Sequence, residues 1–218
     1  MDAVDCTLCG NEFGRYAVPL SSRHRPAAQM VLRGDVWERQ TIDYMRAHPG
    51  RDIVHAGTYF GDFLPALSAT ARTVYAFEPN SENFHCAEWT VLLNSLQNVR
   101  LRHAALSDSA VTRHLQTAYA GTPLGGMSRI TDDPDGDFED INTVRLDDVL
   151  RQDADVGILQ LDVEGFEEPA LAGALATIER CHPILILETV PQAFVASRLA
   201  GMGYRSVGDV CGNTIFRV

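Results

Sequence analysis

A glycine-containing turn and a carboxylate downstream of it are the residues of this chain best suited to binding a ligand. The apolar segment 52–56 leads into Gly57, and Gly61 follows in the same turn. A second apolar segment, 73–77, ends at Glu78. Glycine lets a ligand approach the backbone closely, and the acid can accept hydrogen bonds from ribose hydroxyls. The pattern predicts a site for an adenosine-type ligand; the alternative is a tight turn with an unrelated acid.

The residues between the two glycines indicate which kind of nucleoside fits. A dinucleotide site needs Gly-x-Gly-x-x-Gly, because a pyrophosphate must touch the backbone along the turn and the start of the next helix. Here Thr58 and the bulky Tyr59 and Phe60 fill the middle of the turn. The turn therefore favours a ribose ligand without phosphates, of which S-adenosylmethionine is the common example.

A second group of acids, Asp162, Glu164 and Glu167, surrounds Gly165 after another apolar segment. Side chains alternate along a strand, so Asp162 and Glu164 share a face. Acids at this end of a strand could accept a proton, orient a sulfonium or bind a divalent cation, although we assign no metal site. For Glu167 the alternative is stabilisation of a helix N-terminus.

These residues can act together only in a fold that brings the ends of their strands close together. The apolar segments predict such a fold. Strands and helices alternate, which favours an open, doubly wound sheet with right-handed crossovers. We predict strands over 52–56, 73–77, 99–106, 156–162, 183–188, 203–208 and 213–218, and helices over 35–48, 63–71, 167–179 and 191–201. A further helix is expected to begin with Ser81 as its N-cap. Residues 108–145 are predicted as loops and short extended segments, with a turn at 132–136.

Length, charge and hydropathy limit the class of protein. The chain has 218 residues, which suits one binding domain, 36–218, preceded by an arm or lid, 1–35. Its net charge is −11 and it has no dense block of Lys and Arg, so we expect no nucleic-acid partner. No apolar run approaches the roughly 20 residues needed to cross a bilayer, and the start does not resemble a secretory signal. We expect a cytoplasmic protein without a membrane partner; self-association into a homo-oligomer stays open.

The five cysteines are scattered and do not form a disulfide pattern. Cys6 and Cys9 have the spacing of half a zinc knuckle. A structural zinc needs four ligands, and no second closely spaced pair of Cys or His follows in the sequence. We therefore interpret them as two thiols, with a zinc module for partner contacts as the alternative.

Several segments together resemble the FkbM family of S-adenosylmethionine-dependent methyltransferases. They occur in the order of that family's motifs, at 55–61, 76–80, 94–99, 104–108, 146–150 and 161–167. The resemblance implies an α/β, Rossmann-like class I methyltransferase fold, with a mostly parallel seven-stranded sheet, an antiparallel last strand and helices on both faces. It also implies O-methylation of hydroxyls on sugars or natural products.

The resemblance assigns site residues by position. Gly57, Thr58 and Gly61 are expected to line the methionine end of the cofactor, and Glu78 to hold its ribose. His103 and Ala104 are expected to flank the adenine. The full set of expected cofactor-binding residues is Glu38, His55, Gly57, Thr58, Tyr59, Gly61, Glu78, Pro79, Asn80, His103, Ala104 and Asp162.

Two positions depart from the family pattern. His55 stands where the family usually has an acid, and Gln160 replaces a usual lysine. Loss of the acid could weaken the hold on the cofactor's ammonium group, and Glu38, on the preceding helix, is a candidate replacement. The other interpretation of His55 is a buried, hydrogen-bonded histidine of the strand.

We predict an O-methyltransferase that uses S-adenosylmethionine and a small-molecule hydroxyl acceptor. By the resemblance, Asp162 and Glu164 face the methyl group and are the first candidates for the catalytic base, with His103 and His55 second. The segment 125–129 is a candidate substrate-facing loop. The alternatives are a nicotinamide-dependent oxidoreductase and a non-catalytic, nucleoside-binding relic of the fold.

Overall fold

The computed structural model describes residues 5–132 and 136–218. The strands are β1 (Cys6–Gly10), β2 (Arg15–Pro19), β3 (Asp52–Ala56), β4 (Val74–Phe77), β5 (Val99–Arg102), β6 (Ala105–Leu106), β7 (Thr112–Gln116), β8 (Ala118–Tyr119), β9 (Thr122–Pro123), β10 (Arg129–Thr131), β11 (Phe138–Val144), β12 (Val156–Leu161), β13 (Ile184–Leu187), β14 (Arg205–Val210) and β15 (Asn213–Arg217). The α-helices are α1 (Pro26–Leu32), α2 (Arg39–Arg46), α3 (Leu64–Ser68), α4 (Ser81–Leu93), α5 (Leu146–Val149), α6 (Glu167–Ala172), α7 (Leu175–Cys181) and α8 (Gln192–Phe194).

Seven strands form the main sheet, in the order β14-β15-β13-β12-β3-β4-β5. The five strands from β13 to β5 are parallel to one another, whereas β15 runs antiparallel to both β13 and β14. Every residue of β4 and β13 is buried, as expected for parallel strands covered on both faces. The predicted Rossmann-like sheet with an antiparallel last strand is confirmed.

Alternate residues of the central strands pack on opposite faces of the sheet. On β3, Val54 and Ala56 belong to one apolar cluster and Ile53 belongs to a second. The first cluster includes side chains of α6 and α7, and the second includes side chains of α2 and α3. Helices therefore cover both faces, and the site is confined to an edge of the sheet.

The order in which the chain adds strands to the sheet reverses at β3. β4 and β5 lie on one side of β3, and β12 and β13 lie on the other. Ligands of open α/β sheets bind at such a reversal, beyond the carboxyl ends of the strands. Gly57, Glu78, Asp162 and Glu188 directly follow four of these strands, so the fold places them at the same edge.

A second sheet forms from the stretch predicted as loops and short extended segments. Its strands lie in the order β10-β7-β11-β6, and β7 pairs antiparallel with both β10 and β11. Its small apolar cluster contains Leu115 and Ile141, so few of its residues carry an apolar signal. The strand predicted over 99–106 is wrong in part, because β5 ends at Arg102 and β6 pairs with β11 instead. Residues 133–135 of the predicted turn lie outside the described residues.

Several predicted helix boundaries are wrong. α2 and α3 are shorter than the predicted 35–48 and 63–71. The helix predicted over 167–179 is two helices, divided where Gly173 approaches the backbone of Ser107. A Cβ added to Gly173 would lie 1.8 Å from the carbonyl oxygen of Ser107, so this close approach requires glycine.

The N-cap of α4 is Asn80 rather than the predicted Ser81. The Oδ1 atom of Asn80 accepts a hydrogen bond from the backbone N–H of Asn83 at 3.0 Å. Both residue types are good caps, so the sequence alone does not separate them. The observed cap fixes the chain directly after Glu78, where the ribose is expected.

Residues 5–32 pack onto the main domain. β1 and β2 form an antiparallel hairpin, and Tyr16 packs edge-to-face against Phe60, with ring centroids 6.4 Å apart. The backbone N–H of Ala17 donates a hydrogen bond to Oγ1 of Thr90, on α4, at 3.2 Å. The segment is therefore attached to the glycine turn and to α4, while its role as an arm or lid stays a prediction.

Cys6 and Cys9 lie on β1 as free, partly buried thiols, and burial raises the pKa of each. Within residues 5–132 and 136–218, the group of side chains arranged to share a metal ion is acidic and includes neither cysteine. None of the helices in these described ranges combines the length and apolar character needed to cross a membrane.

Candidate active site

The turn after β3 adopts backbone conformations that its glycines permit. Gly57 and Gly61 have φ angles of +81° and +80°, which side chains rarely tolerate. The N–H groups of Gly57 and Thr58 donate to the carbonyl oxygen of Phe77, at 3.0 and 3.2 Å. On its other side, Gly57 touches the end of β12, where an added Cβ would lie 1.7 Å from the carbonyl oxygen of Asp162. The turn is thus fixed between two strand ends.

Glu78 connects the glycine turn to the start of α4. Its Oε2 accepts a hydrogen bond from the backbone N–H of Tyr59 at 2.8 Å, and its Oε1 accepts one from the backbone N–H of Asn80 at 3.0 Å. The carboxyl group is buried, and burial raises its pKa to about 8. Glu78 is therefore a fixed acceptor at the strand end where ribose hydroxyls are expected to bind.

A narrow cleft of about 30 Å³ runs beside Glu78. Pro79 and Ala104, expected near the cofactor, line it, and the second sheet adds Leu115 and Ile130. Apolar walls suit an adenine ring, for which this narrow cleft would have to widen. Sequence reasoning missed Leu115 and Ile130, because nothing in the sequence shows that the second sheet packs at this edge.

His103 lies away from the cleft. Its ring stacks on Phe84, with centroids 4.6 Å apart, and its Nε2 is 3.0 Å from the carbonyl oxygen of Pro79. The side chain is exposed and lines neither of the cavities that contain Asp162 and Glu164. The structure therefore brings the neighbouring Ala104, but not His103, into the candidate site.

A larger cavity of about 270 Å³ adjoins the cleft. Gly57, Gly126, Asp162 and Glu164 line both spaces, so they meet at the end of β12. The acidic side chains in the walls of the larger cavity are Glu38, Asp62, Asp162, Glu164 and Glu188. A cavity with this charge suits the sulfonium and ammonium groups of a methyl donor better than it suits an anion.

Asp162, Glu164 and Glu188 form a compact carboxylate group. One oxygen of each lies within 4.8 Å of the others. Burial, and then the neighbouring Glu188, raise the pKa of Asp162, and the same two causes raise the pKa of Glu164 to about 7. Carboxylates this close disfavour a second negative charge, so the group can accept a proton near neutral pH. The same oxygens could hold a divalent cation.

Glu188, rather than Glu167, completes the carboxylate group. Glu188 directly follows β13, and its sequence signal resembles that of Asp162: an acid that follows a mostly apolar strand. Glu167 is buried at the start of α6, where its Oε1 accepts a long hydrogen bond, 3.4 Å, from the backbone N–H of Val163. Glu167 therefore holds the loop that leads into α6, and its role at the helix N-terminus stays an alternative.

The two positions that depart from the family pattern lie side by side on neighbouring strands. His55 on β3 is paired in register with Gln160 on β12, and Nδ1 of His55 forms a hydrogen bond with Oε1 of Gln160. The imidazole also stacks on Phe63, with ring centroids 5.1 Å apart and planes inclined by 6°. Burial lowers the pKa of His55 to about 4. A neutral, hydrogen-bonded pair therefore occupies these two positions.

Glu38 contributes to the acidic cavity from the residue before α2. Its Oε2 accepts hydrogen bonds from Oγ1 of Thr41 and Nδ2 of Asn213, each at 2.9 Å. Burial raises its pKa. Asp62 lies in the same cavity, and burial, followed by the charge of Glu38, raises the pKa of Asp62 to about 7. Asp62 was missed by sequence reasoning, although it directly follows Gly61 in the glycine turn.

The N-terminal segment and the loop over 125–129 lie side by side at the larger cavity. Nη2 of Arg25 donates a hydrogen bond to the carbonyl oxygen of Pro123 at 2.8 Å. Arg25 and Met127 both line the cavity. The loop therefore faces the space in which an acceptor is expected to bind.

The buried acids predict how stability of the ligand-free protein depends on pH. Burial raises the pKa of Glu78 to about 8, and those of Asp62 and Glu164 to about 7. The folded state keeps protons that the unfolded chain releases near pH 4. The stability that these three acids contribute is therefore fully present below about pH 4 and is lost as the pH rises towards 8. We expect the melting temperature to fall by about 5 °C or more between pH 5 and pH 8.

Scanning calorimetry of the wild-type protein and of Glu78→Gln checks this expectation. The variant lacks the group with the highest of these pKa values, so its melting temperature should fall less over the same interval. A wild-type melting temperature that rises between pH 5 and pH 8 would contradict the expectation.

The strand order, the glycine turn and the acid after β4 together define a Rossmann-like methyltransferase. A family model described as the Methyltransferase FkbM domain matches residues 55–206, which include Gly57, Glu78 and the three members of the carboxylate group. The chain therefore belongs to the FkbM methyltransferase family. The family predicted from the sequence motifs is confirmed, and the nicotinamide-dependent alternative is set aside.

Solved structures with a similar fold include a methyltransferase FkbM from Methylobacillus flagellatus KT. It has a TM-score of 0.52 and 14% identity, covering 78% of this chain and 44% of that chain. Wild-type Trm5b from Pyrococcus abyssi also has a TM-score of 0.52, with 12% identity, covering 99% of this chain and 56% of that one. The present chain spans about half the length of either protein, and at these identities the likeness shows the fold alone. Among proteins of curated function, no sequence matches this chain significantly.

Proposed function

We propose that the protein is an O-methyltransferase that uses S-adenosylmethionine to methylate a hydroxyl of a small molecule, such as a sugar or natural product. The observation that carries the proposal is the junction of the cleft and the acidic cavity at Asp162. On one side, Gly57 and Glu78 fit the nucleoside, because the glycine admits close contact and the acid accepts hydrogen bonds. On the other side, the carboxylate group fits a hydroxyl that must lose its proton.

The residues at the junction account for transfer to oxygen. S-adenosylmethionine supplies a methyl group on a positively charged sulfur, which is a good leaving group. The cavity walls align the acceptor oxygen with that carbon, and orientation can lower a barrier by about 7 kcal/mol or more. As the oxygen–carbon bond forms and the carbon–sulfur bond breaks, Asp162 accepts the hydroxyl proton. Glu188 favours this step, because a neighbouring negative charge raises the proton affinity of Asp162.

The charge of the cavity supports the expectations about partners. Its acidic walls disfavour phosphate groups, which supports a small neutral or cationic acceptor and argues against a nucleic-acid partner. A cytoplasmic location and the absence of a membrane partner belong to the same proposal, and a homo-oligomer stays open.

Calorimetric titration with S-adenosylhomocysteine tests the donor side of the proposal. We expect micromolar binding by the wild-type protein and an affinity about 30-fold lower in Glu78→Gln, because an amide cannot accept the backbone and ribose hydrogen bonds together. Glu139→Gln is the matched control, since Glu139 also accepts a backbone hydrogen bond, from Ser81 at 2.9 Å, but does not line the cleft. Absence of binding by the wild-type protein would contradict the proposal.

Methyl transfer from labelled S-adenosylmethionine tests the acceptor side. A panel of free sugars, glycosides and polyketide alcohols is incubated with the protein, and mass spectrometry locates the methyl group in each product. A methyl group on oxygen supports the proposal, whereas one on nitrogen or carbon contradicts it. Donor binding without transfer to any member of the panel would favour the non-catalytic relic instead.

A further inference from the structure

His55 is held in one tautomer. Its Nδ1 faces Oε1 of Gln160, and because an amide oxygen only accepts hydrogen bonds, the proton of the neutral ring lies on Nδ1. Nε2 therefore carries a free lone pair. The stacked ring of Phe63 limits rotation of the imidazole, so the two nitrogens keep their places.

The lone pair of Nε2 is buried and unused. Among the described residues, no donor forms a hydrogen bond with this atom. A buried acceptor without a partner costs free energy and is rare in folded proteins. His55 lines the larger cavity beside Gly57, so a bound molecule that presents an N–H group there would satisfy the atom.

The surroundings of His55 favour a cation at this end of the cavity. Glu38 and Asp62 belong to the same walls, and a bound ammonium group would favour their charged forms. The low pKa of His55, about 4, makes the ring a neutral acceptor at pH 7 and a weak base towards an alcohol. The acceptor hydroxyl, in contrast, has the carboxylate group at Asp162.

We infer that Nε2 of His55 accepts a hydrogen bond from the ammonium group of the methyl donor, and that Gln160 positions it for this contact. The inference rests on the proposed function and adds to it a binding residue and a positioning residue. His55 then makes, as a neutral acceptor, the contact that a charged carboxylate would make if it stood at this position.

Two probes separate this contact from the rest of donor binding. S-adenosylhomocysteine carries the ammonium group, whereas 5′-methylthioadenosine keeps the adenosine and sulfur and lacks the amino-acid portion. In His55→Phe, which keeps a stacked ring and loses both nitrogens, we expect calorimetry to show S-adenosylhomocysteine binding about 10- to 100-fold more weakly. The affinity for 5′-methylthioadenosine should stay unchanged, which also shows that the variant is folded.

Matched variants test the acceptor and its orientation. His55→Gln can present an amide oxygen in place of Nε2 and should recover much of the lost affinity. Gln160→Leu removes the group that fixes the tautomer and should weaken the binding of S-adenosylhomocysteine but not that of 5′-methylthioadenosine. Gln160→Glu keeps an acceptor and should leave both affinities unchanged. An equal loss of affinity for both probes in His55→Phe, or no loss for either, would overturn this inference and leave the proposed function standing. Failure of the wild-type protein to bind either probe would overturn the proposed function as well.

Nitrogen-15 NMR of the ligand-free wild-type protein provides a test without ligand or activity. We expect the His55 imidazole to be neutral at pH 7, with its proton on Nδ1. A proton on Nε2 would leave no acceptor for an ammonium group and would overturn the inference.

Discussion

Replacing Asp162 with asparagine is expected to lower kcat for methyl transfer by about 10²- to 10⁴-fold. Asparagine has nearly the same shape as aspartate but cannot take up the proton of the acceptor hydroxyl. The backbone carbonyl of Asp162, which touches Gly57, stays in place. Binding of S-adenosylhomocysteine should therefore change little, and the loss should appear in turnover.

Initial rates with labelled S-adenosylmethionine, measured beside calorimetric titrations, separate these two effects. Glu188→Gln is the companion variant, because Glu188 acts on the proton affinity of Asp162 and its loss should cost less than that of Asp162 itself. An unchanged kcat in Asp162→Asn would remove Asp162 from the role of base.

The pH dependence of the wild-type rate belongs to the same expectation. A carboxyl group acts as a base only when it has lost its proton. Burial and Glu188 raise the pKa of Asp162, and the pKa of the adjacent Glu164 is raised to about 7. Because the pKa of Asp162 lies well above its usual range, the rate should still be increasing at pH values where an ordinary carboxyl group has already lost its proton. A rate that decreases over that range would contradict the assignment.

Gly57→Ala is expected to abolish detectable binding of S-adenosylhomocysteine and to lower the free energy of unfolding by about 3 kcal/mol or more. The added methyl group would lie 1.7 Å from the carbonyl oxygen of Asp162, and an alanine at φ +81° is strained. The contact can be relieved only if the ends of β3 and β12 separate. That movement would open the junction at which the donor and acceptor are expected to meet.

Gly61→Ala is the matched control for this variant. Gly61 has nearly the same φ, +80°, but its added carbon would meet the flexible end of Leu64 at 3.0 Å. The backbone strain alone costs about 1–2 kcal/mol, so a smaller loss of stability is expected. Denaturant unfolding and calorimetric titration measure both effects. Equal losses in the two variants would show that strain in the turn, rather than contact with β12, is decisive.

The centre of the fold and part of its site follow from the sequence because they depend on local patterns. β3, β4, β12 and β13 are short, mostly apolar segments, and parallel strands bring their carboxyl ends to one edge. Gly57, Glu78 and Asp162 therefore converge for reasons that a sequence shows. The resemblance to the family implied the antiparallel last strand, which apolar patterns alone do not determine.

The remaining features depend on contacts between distant parts of the chain. Asp62 enters the cavity because the glycine turn lies beside the end of β12, which no local pattern reveals. Glu188 ends β13 as Asp162 ends β12, so the sequence did carry a signal for it, and that signal was missed. His103 turns away from the site because it stacks on Phe84. The second sheet was missed because its strands are short and mostly polar, so alternation gives a weak signal.

The stretch of chain ahead of the family domain supplies part of the cavity wall, through Arg25, Trp37 and Glu38, whereas Gly57 and Glu78 lie within the matched region. The wall of the cavity in which an acceptor is expected to bind is thus built partly by residues that precede the matched domain in the sequence. We expect chimeras that exchange only this leading stretch between homologues to change which acceptors are methylated and to keep the affinity for the donor.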